Sequence, residues 1–222
     1  MGIDVPPLGV IVELSALRIY TLQEPAPEKS HDRVKVVQQG HRTVIALADG
    51  AGGMSGAAEA AERVVCSLVD TFMGDAVDAT PDACAHALAA ADQAVASSHQ
   101  GGESTGLLVV IDGDALVGAS VGDCAAWVVS EGDEPHEITT HQMRKPRIGT
   151  GRASPVAFGP VPLNGVLVAV TDGVADYLTV EDLTALVRHA ASQQLPKTLL
   201  DHVRLPSGRL PDHATVLVAS PA

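Results

Sequence analysis

The residue that most invites chemistry is Asp49, which closes the apolar run Val44-Ile45-Ala46-Leu47-Ala48 and leads into Gly50-Ala51-Gly52-Gly53. A carboxylate at the end of a buried strand, followed by glycines that let backbone approach an ion or a phosphate, suits catalysis. A second apolar run, Val166 to Val170, ends in Thr171-Asp172-Gly173, and Asp212 stands just before the stretch Ala214 to Ala219. Acids so placed offer the oxygen ligands that hard divalent cations take, and a pair of such ions can clamp a phosphoryl group and activate water. The Asp-Gly dipeptide has a plainer use as well. Glycine takes positive φ at little cost, so Asp112-Gly113, between Leu107–Ile111 and Ala115–Val121, reads as a hairpin turn.

These acids need strands and helices to hold them. Apolar runs at 8–14, 34–38, 43–48, 105–111, 115–121, 125–130, 166–171 and 214–219 read as strands. Between them, Gly56 to Met73 sets Ala57, Ala60, Ala61, Val64, Val65, Leu68, Val69 and Phe72 on one broad stripe, the period of an amphipathic helix. The next segment carries its own start signal: Thr80 as N-cap, Pro81 at the first helical position, Asp82 facing the dipole, and an alanine-rich run to Ser97. Thr179-Val180-Glu181-Asp182 opens a helix to about Ala191, and Pro196 begins a short one to about Val203. Strands, then two helices, then a strand meander do not fit βαβ alternation; they fit an α+β chain of antiparallel sheets with helices outside.

The order of the motifs resembles that of the metal-dependent protein phosphatases of the 2C (PPM) family. Ala48-Asp49-Gly50-Ala51-Gly52-Gly53 is similar to that family's Asp-Gly-x-Gly-Gly element, and Glu103-Ser104-Thr105-Gly106 to its small-residue strand start. Val121-Gly122-Asp123-Cys124-Ala125 resembles its Val-Gly-Asp-Ser-Arg element, Thr171-Asp172-Gly173-Val174 its Ser-Asp-Gly-Leu element, and Asp212-His213-Ala214-Thr215 its Asp-Asn-x-Thr element. The resemblance spans residues 32 to 219 and implies one PP2C-like domain over 1–222, a four-layer α-β-β-α sandwich of two packed antiparallel sheets. It implies hydrolysis of protein phosphoserine and phosphothreonine by water activated between two Mn²⁺ or Mg²⁺ ions, opposite a Ser/Thr kinase. Asp49 would bridge the ions, the Gly50 carbonyl would ligate one, Asp172 and Asp212 would complete the other site, and Asp123 with Asp172 would form a weaker third. Asp32, in Ser30-His31-Asp32, matches the family acid that orients the attacking water.

The chain departs from the family in places. Many members carry a phosphate-gripping arginine five residues before the acid matched by Asp32, where this chain has Pro27. The histidine that follows the first Asp-Gly in eukaryotic members is Ala51, the asparagine after the last acid is His213, and Cys124 replaces serine. The segment 141–152 holds Arg144, Lys145, Arg147 and Arg152, four of the 14 Lys and Arg residues, with no acid, in a chain of formal net charge −13. Arg144, Lys145 and Arg147 are the candidates to replace the missing phosphate anchor; a solvated loop or a partner contact would give the same charge pattern. His31 and His213 flank acids and are placed to tune a proton. The lost arginine and Ala51 leave a second reading open, a catalytically weak pseudophosphatase that binds phosphorylated partners.

Composition narrows the field further. Five aromatics, Tyr20, Phe72, Trp127, Phe158 and Tyr177, give base stacking little to work with, and the acidic balance repels nucleic-acid backbones, so no nucleic-acid partner is expected. Cys66, Cys84 and Cys124 lack zinc or disulfide spacing and read as reduced thiols, Cys124 as a small core residue. No signal segment opens the sequence and no apolar run nears the roughly 20 residues that span a bilayer, so a cytoplasmic protein without membrane partners is expected. Gly50 to Gly56 lacks the Gly-Lys-Ser/Thr ending of a nucleotide-binding loop.

Overall fold

The computed structural model describes residues 2–3, 10–13, 17–25, 31–51, 55–73 and 77–222. In chain order the elements are β1 (Gly2–Ile3), β2 (Val10–Glu13), β3 (Leu17–Glu24), β4 (Arg33–Gln39), β5 (Arg42–Ala48), α1 (Ala57–Phe72) and α2 (Pro81–Ala96). They continue with β6 (Gly106–Asp112), β7 (Ala115–Val121), β8 (Ala125–Ser130), β9 (His136–Glu137), β10 (Val156–Pro162), β11 (Gly165–Val170), α3 (Asp172–Ala175), α4 (Val180–His189), α5 (Leu195–His202) and β12 (Ala214–Pro221). All strand pairs are antiparallel, and they build two sheets, β1-β4-β5-β6-β7-β10 and β2-β3-β12-β11-β8-β9. The α+β class expected from the element order is thus the one the chain adopts. Of the strand expected at 8–14, Val10–Glu13 is described; Pro27, Ser30, Gly52 and Gly53 lie outside the described residues.

The chain divides into two compact units. The first takes in β1 and the described residues of 31–124 and 139–162; the second takes in β2, β3, 125–138 and 163–222. In the first unit two tight hairpins start the sheet: Gln39 pairs with Arg42 across Gly40-His41, and Asp112 with Ala115 across Gly113-Asp114. Both loops open on a glycine at positive φ, +60° and +67°, which matches the right-handed strand twist. Along β5, β6 and β7 the residues Val44, Ala46, Ala48, Leu108, Val110, Val117, Ala119 and Val121 share a core with α1 and α2. Residues of the other parity, Ile45, Leu47, Leu107 and Val109, are fully buried as well, so these strands read as unbroken apolar runs rather than alternating ones.

Helix α1 buries all eight residues of the expected stripe, from Ala57 to Phe72. Each large side chain among them is worth about 1.5–3 kcal/mol on full burial. Helix α2 starts as its sequence promised, with Thr80 Oγ1 accepting the Ala83 N–H at 3.1 Å and Pro81 in the first turn. Toward the C-terminal end of α2 sits Asp92, 1% exposed. Its carboxylate accepts the backbone N–H groups of Gly149 (2.8 Å), Gly151 (2.9 Å) and Ala153 (2.9 Å), and so holds the segment between β9 and β10 onto the helix.

The second unit follows the same logic, with Trp127, Val129, Val168, Val170, Val216 and Val218 sharing a core with Leu183 of α4 and with Leu195, Leu199 and Leu200 of α5. Strand β3, which pairs with β12 along its whole length, was not anticipated, nor were β10 and the single turn α3 that begins at Asp172. No helix among the described residues is long and apolar enough to cross a membrane.

Candidate active site

In the first unit the site is built around the end of β5. The Asp49 N–H donates to Thr105 Oγ1 at 2.8 Å, and the Asp49 carbonyl accepts from Ser104 Oγ at 2.9 Å and from the Thr105 N–H at 2.8 Å. Three bonds from the approach to β6 therefore fix the backbone that carries this carboxylate. Gly50 comes next, its N–H donating to the His31 carbonyl at 3.3 Å. A Cβ at Gly50 would lie 2.4 Å from the Ala57 carbonyl oxygen and 3.1 Å from His31 Cβ, so no side chain fits without moving backbone. Ala51 continues the turn by donating to the Glu103 carbonyl at 2.8 Å.

Two further acids join this unit. Asp32, directly before β4, is fully buried. Asp123 follows β7 and is nearly buried, with a side chain 11% exposed. A carboxylate oxygen of Asp123 lies within 4.8 Å of one of Asp49. Asp123 also neighbours Arg147, whose Nη2 stands 3.3 Å from Oδ2; Asp123 Oδ1 is buried and has no hydrogen-bond partner among the described residues. Cys124, fully buried, has Sγ 3.0 Å from Thr105 Oγ1. Burial holds its thiol well above the ordinary range, and the charges of Asp49, Asp32 and Asp123 push the same way. It is a core thiol, as its type suggested.

In the second unit the end of β11 and the start of β12 are tied together. Thr171 N–H donates to the Thr215 carbonyl at 3.1 Å, and the Thr215 N–H donates to Thr171 Oγ1 at 2.9 Å. Asp172 follows as the first residue of α3. A Cβ at Gly173 would meet the His213 carbonyl oxygen at 2.0 Å and the Asp212 carbonyl carbon at 3.4 Å, so the backbones bearing Asp172 and Asp212 are in direct contact. Asp212 is exposed, and its Oδ1 accepts the His213 N–H at 2.7 Å.

The acids expected from the sequence thus fall into two sets, Asp32, Asp49 and Asp123 in one unit and Asp172 and Asp212 in the other. The donors suit a hard divalent cation. Two neighbouring carboxylates, Asp123 nearly buried and with one oxygen unpartnered among the described residues, repel each other unless a cation intervenes, and Arg147 brings a positive charge to Asp123. Arg144 and Lys145 are exposed on the same segment. What the sequence did not disclose is the company these residues keep: Ser104 and Thr105 as the clamp on Asp49, Asp92 as the clamp on the cationic segment, and Arg147 as the partner of Asp123. Only the run of small polar residues at Ser104-Thr105 hinted at any of this.

Fold and site together define a class, α+β proteins with two antiparallel sheets and carboxylates set for divalent cations at the strand ends. The sequence pattern of the protein phosphatase 2C family matches residues 27–148, more than half of the chain. Solved structures agree in fold. The chain is similar to the serine/threonine phosphatase Stp1 from Staphylococcus aureus, with 19% identity over 98% of this chain and 99% of that one and a TM-score of 0.76. The serine/threonine phosphatase PstP/Ppp of Mycobacterium tuberculosis is similar at 18% identity, 92% and 98% coverage and a TM-score of 0.75. RsbX, solved in complex with magnesium, follows at 14% identity, 97% and 100% coverage and 0.73. No curated protein matches the sequence significantly. The chain belongs to the protein phosphatase 2C family, and by that membership it is a hydrolase of the PPM protein serine/threonine phosphatase type.

Proposed function

We propose that this chain is a catalytically competent phosphatase that hydrolyses phosphoserine and phosphothreonine esters of proteins, opposite a Ser/Thr kinase in the cytoplasm, as one domain made of both units. The observation that carries this reading is the pairing of Asp49 with Asp123 within 4.8 Å, beside a fully buried Asp32, on backbone locked by Ser104 and Thr105. Asp49, the Gly50 carbonyl and, more weakly, Asp123 in one unit, and Asp172 and Asp212 in the other, are the ligands we assign to Mn²⁺ or Mg²⁺. When bound, such ions supply Lewis-acid charge for phosphoryl oxygens and lower the pKa of water.

The remaining work falls to the protein. Asp32 accepts a hydrogen bond from the attacking water and orients it, drawing the proton as the oxygen turns on phosphorus. Gly50 lets the turn after Asp49 pass against the first residue of α1, where any Cβ would collide. Arg144 and Lys145 meet the substrate phosphate from the exposed segment, where Arg147, expected to join them, instead rests on Asp123. The test is hydrolysis of an aryl phosphate and of a phosphothreonine peptide with Mn²⁺, with Mg²⁺ and with chelator. Turnover that requires metal is the expected result. Tight phosphopeptide binding with no turnover under any metal would instead make the chain a pseudophosphatase.

A further inference from the structure

Arg147 is held unusually well for a residue between strands. Its neighbour Ile148 makes a two-bond bridge to Ser104, with N–H to carbonyl distances of 2.9 Å in each direction. Ser104 is the same residue that clamps Asp49. Just downstream, the Asp92 carboxylate takes three backbone N–H groups, and just upstream the Met143 carbonyl accepts the Gly122 N–H at 2.9 Å, one residue from Asp123. The backbone on both sides of Arg147 is therefore fixed to the residues that carry Asp49 and Asp123.

The side chains, by contrast, satisfy each other poorly. Their single contact, Nη2 to Oδ2, is 3.3 Å, long for a charge-assisted bond. Asp123 Oδ1 and Arg147 Nε are both buried with no hydrogen-bond partner among the described residues. A bidentate fork would have used both carboxylate oxygens; this pair uses one. Buried polar atoms left unmet cost free energy, so the pair is a resting arrangement that a better cation can displace.

From this we infer that Arg147 is a built-in competitor for cations at Asp123, a tethered positive charge that holds Oδ2 when no divalent ion does and weakens the binding of any ion at Oδ1 until it gives way. The inference rests on the reading of Asp123 as a weak cation ligand. It names Arg147 as a positioning residue that sets how weak that ligand is. The consequence is that metal occupancy at Asp123 is adjustable through the 141–152 segment, since anything that draws the guanidinium away, a phosphate group included, frees the carboxylate.

The test is Mn²⁺ titration by calorimetry of the wild-type chain, R147Q, R147K, D123N and the double variant D123N/R147Q, with folding checked by circular dichroism. R147Q should bind Mn²⁺ at its weakest site roughly ten-fold more tightly than wild type, since a unit charge 3.3 Å from Asp123 Oδ2 is removed. R147K, which keeps charge without the planar fork, should fall between and serves if R147Q fails to fold. In the D123N background the Arg147 change should have no effect, an outcome that a general loosening of the segment would not give. An R147Q isotherm that overlays the wild-type one overturns the inference, as does an equal gain in D123N. Wild-type protein that binds no Mn²⁺ at all counts instead against the proposed function, and R147Q still decides the inference there by binding Mn²⁺ or failing to.

Discussion

The proposed function gives Asp49 and Asp32 different jobs, and their substitutions should separate. Asp49→Asn keeps shape and the backbone clamp from Ser104 and Thr105 but removes the charge a divalent ion needs, so turnover should fall by about two orders of magnitude or more with the fold intact by circular dichroism. Near-wild-type turnover of that variant at saturating Mn²⁺ would dismiss the site assignment. Asp32→Ala should lower kcat by roughly a hundred-fold with little change in KM, because the contact it loses matters chiefly as water becomes the nucleophile. A rise in KM with kcat intact would make Asp32 a binding residue instead. At this scale the acids themselves were legible in the sequence, since Asp-Gly after an apolar run marks a strand end. Their partners were not: Thr105 lies 56 positions from Asp49 and Arg147 lies 24 from Asp123, and no local pattern encodes such pairings.

Among elements, α2 carries a pH dependence of its own. Burial pushes the Cys84 thiol from an ordinary 9.0 to about 12. The unfolded chain ionises first, so the stability Cys84 contributes is complete below pH 9 and is lost as pH rises toward 12, at about 1.4 kcal/mol per pH unit. Urea midpoints should fall more steeply for wild type than for Cys84→Ala over that window. Parallel curves would show that the thiol is not sealed in the folded state. Both α1 and α2 were plain in the sequence, because stripe, cap and Pro81 agree. β10 was hidden by its composition: Val156-Ala157-Phe158-Gly159-Pro160-Val161-Pro162 reads as a breaker, yet it lies at the edge of its sheet, where proline costs no ladder bond, and its register shifts between Phe158 and Val161. Opposite Phe158 stands Gly118, whose missing Cβ leaves room for the ring, at 2.3 Å from where that atom would be. β3 was hidden differently. Arg18, Gln23 and Glu24 break its pattern, and its long partner β12 lies at the other end of the chain.

For the molecule as a whole, metal and stability should be coupled. A formal net charge of −13 with acids set against each other makes the native state a better ligand for divalent cations than the unfolded chain, and a ligand that prefers the native state raises its stability by mass action. Mn²⁺ at a hundred times its dissociation constant should add about 2.7 kcal/mol, visible as a rise of several degrees in Tm. An unchanged Tm at millimolar-scale metal would speak against a native cation site. The division into two units was not legible in the sequence at all. Residues 125–138 leave the first unit and 139–162 return to it, so no linker composition marks the boundary, and neither unit can be cut out as a continuous segment.

The Asp92 clamp has a consequence on the clock rather than in space. Gly149, Gly151 and Ala153 belong to no helix or strand, and amides in such segments ordinarily trade their hydrogens for deuterium within moments of dilution. Here all three point into one buried carboxylate, so they should exchange together and as slowly as the interior of α2, opening only when the helix does. In Asp92→Ala the three should become fast as a group while the β6 and β7 amides stay slow. Fast, independent exchange of these amides in the wild-type protein would mean that the segment carrying Arg147 is not anchored where it rests.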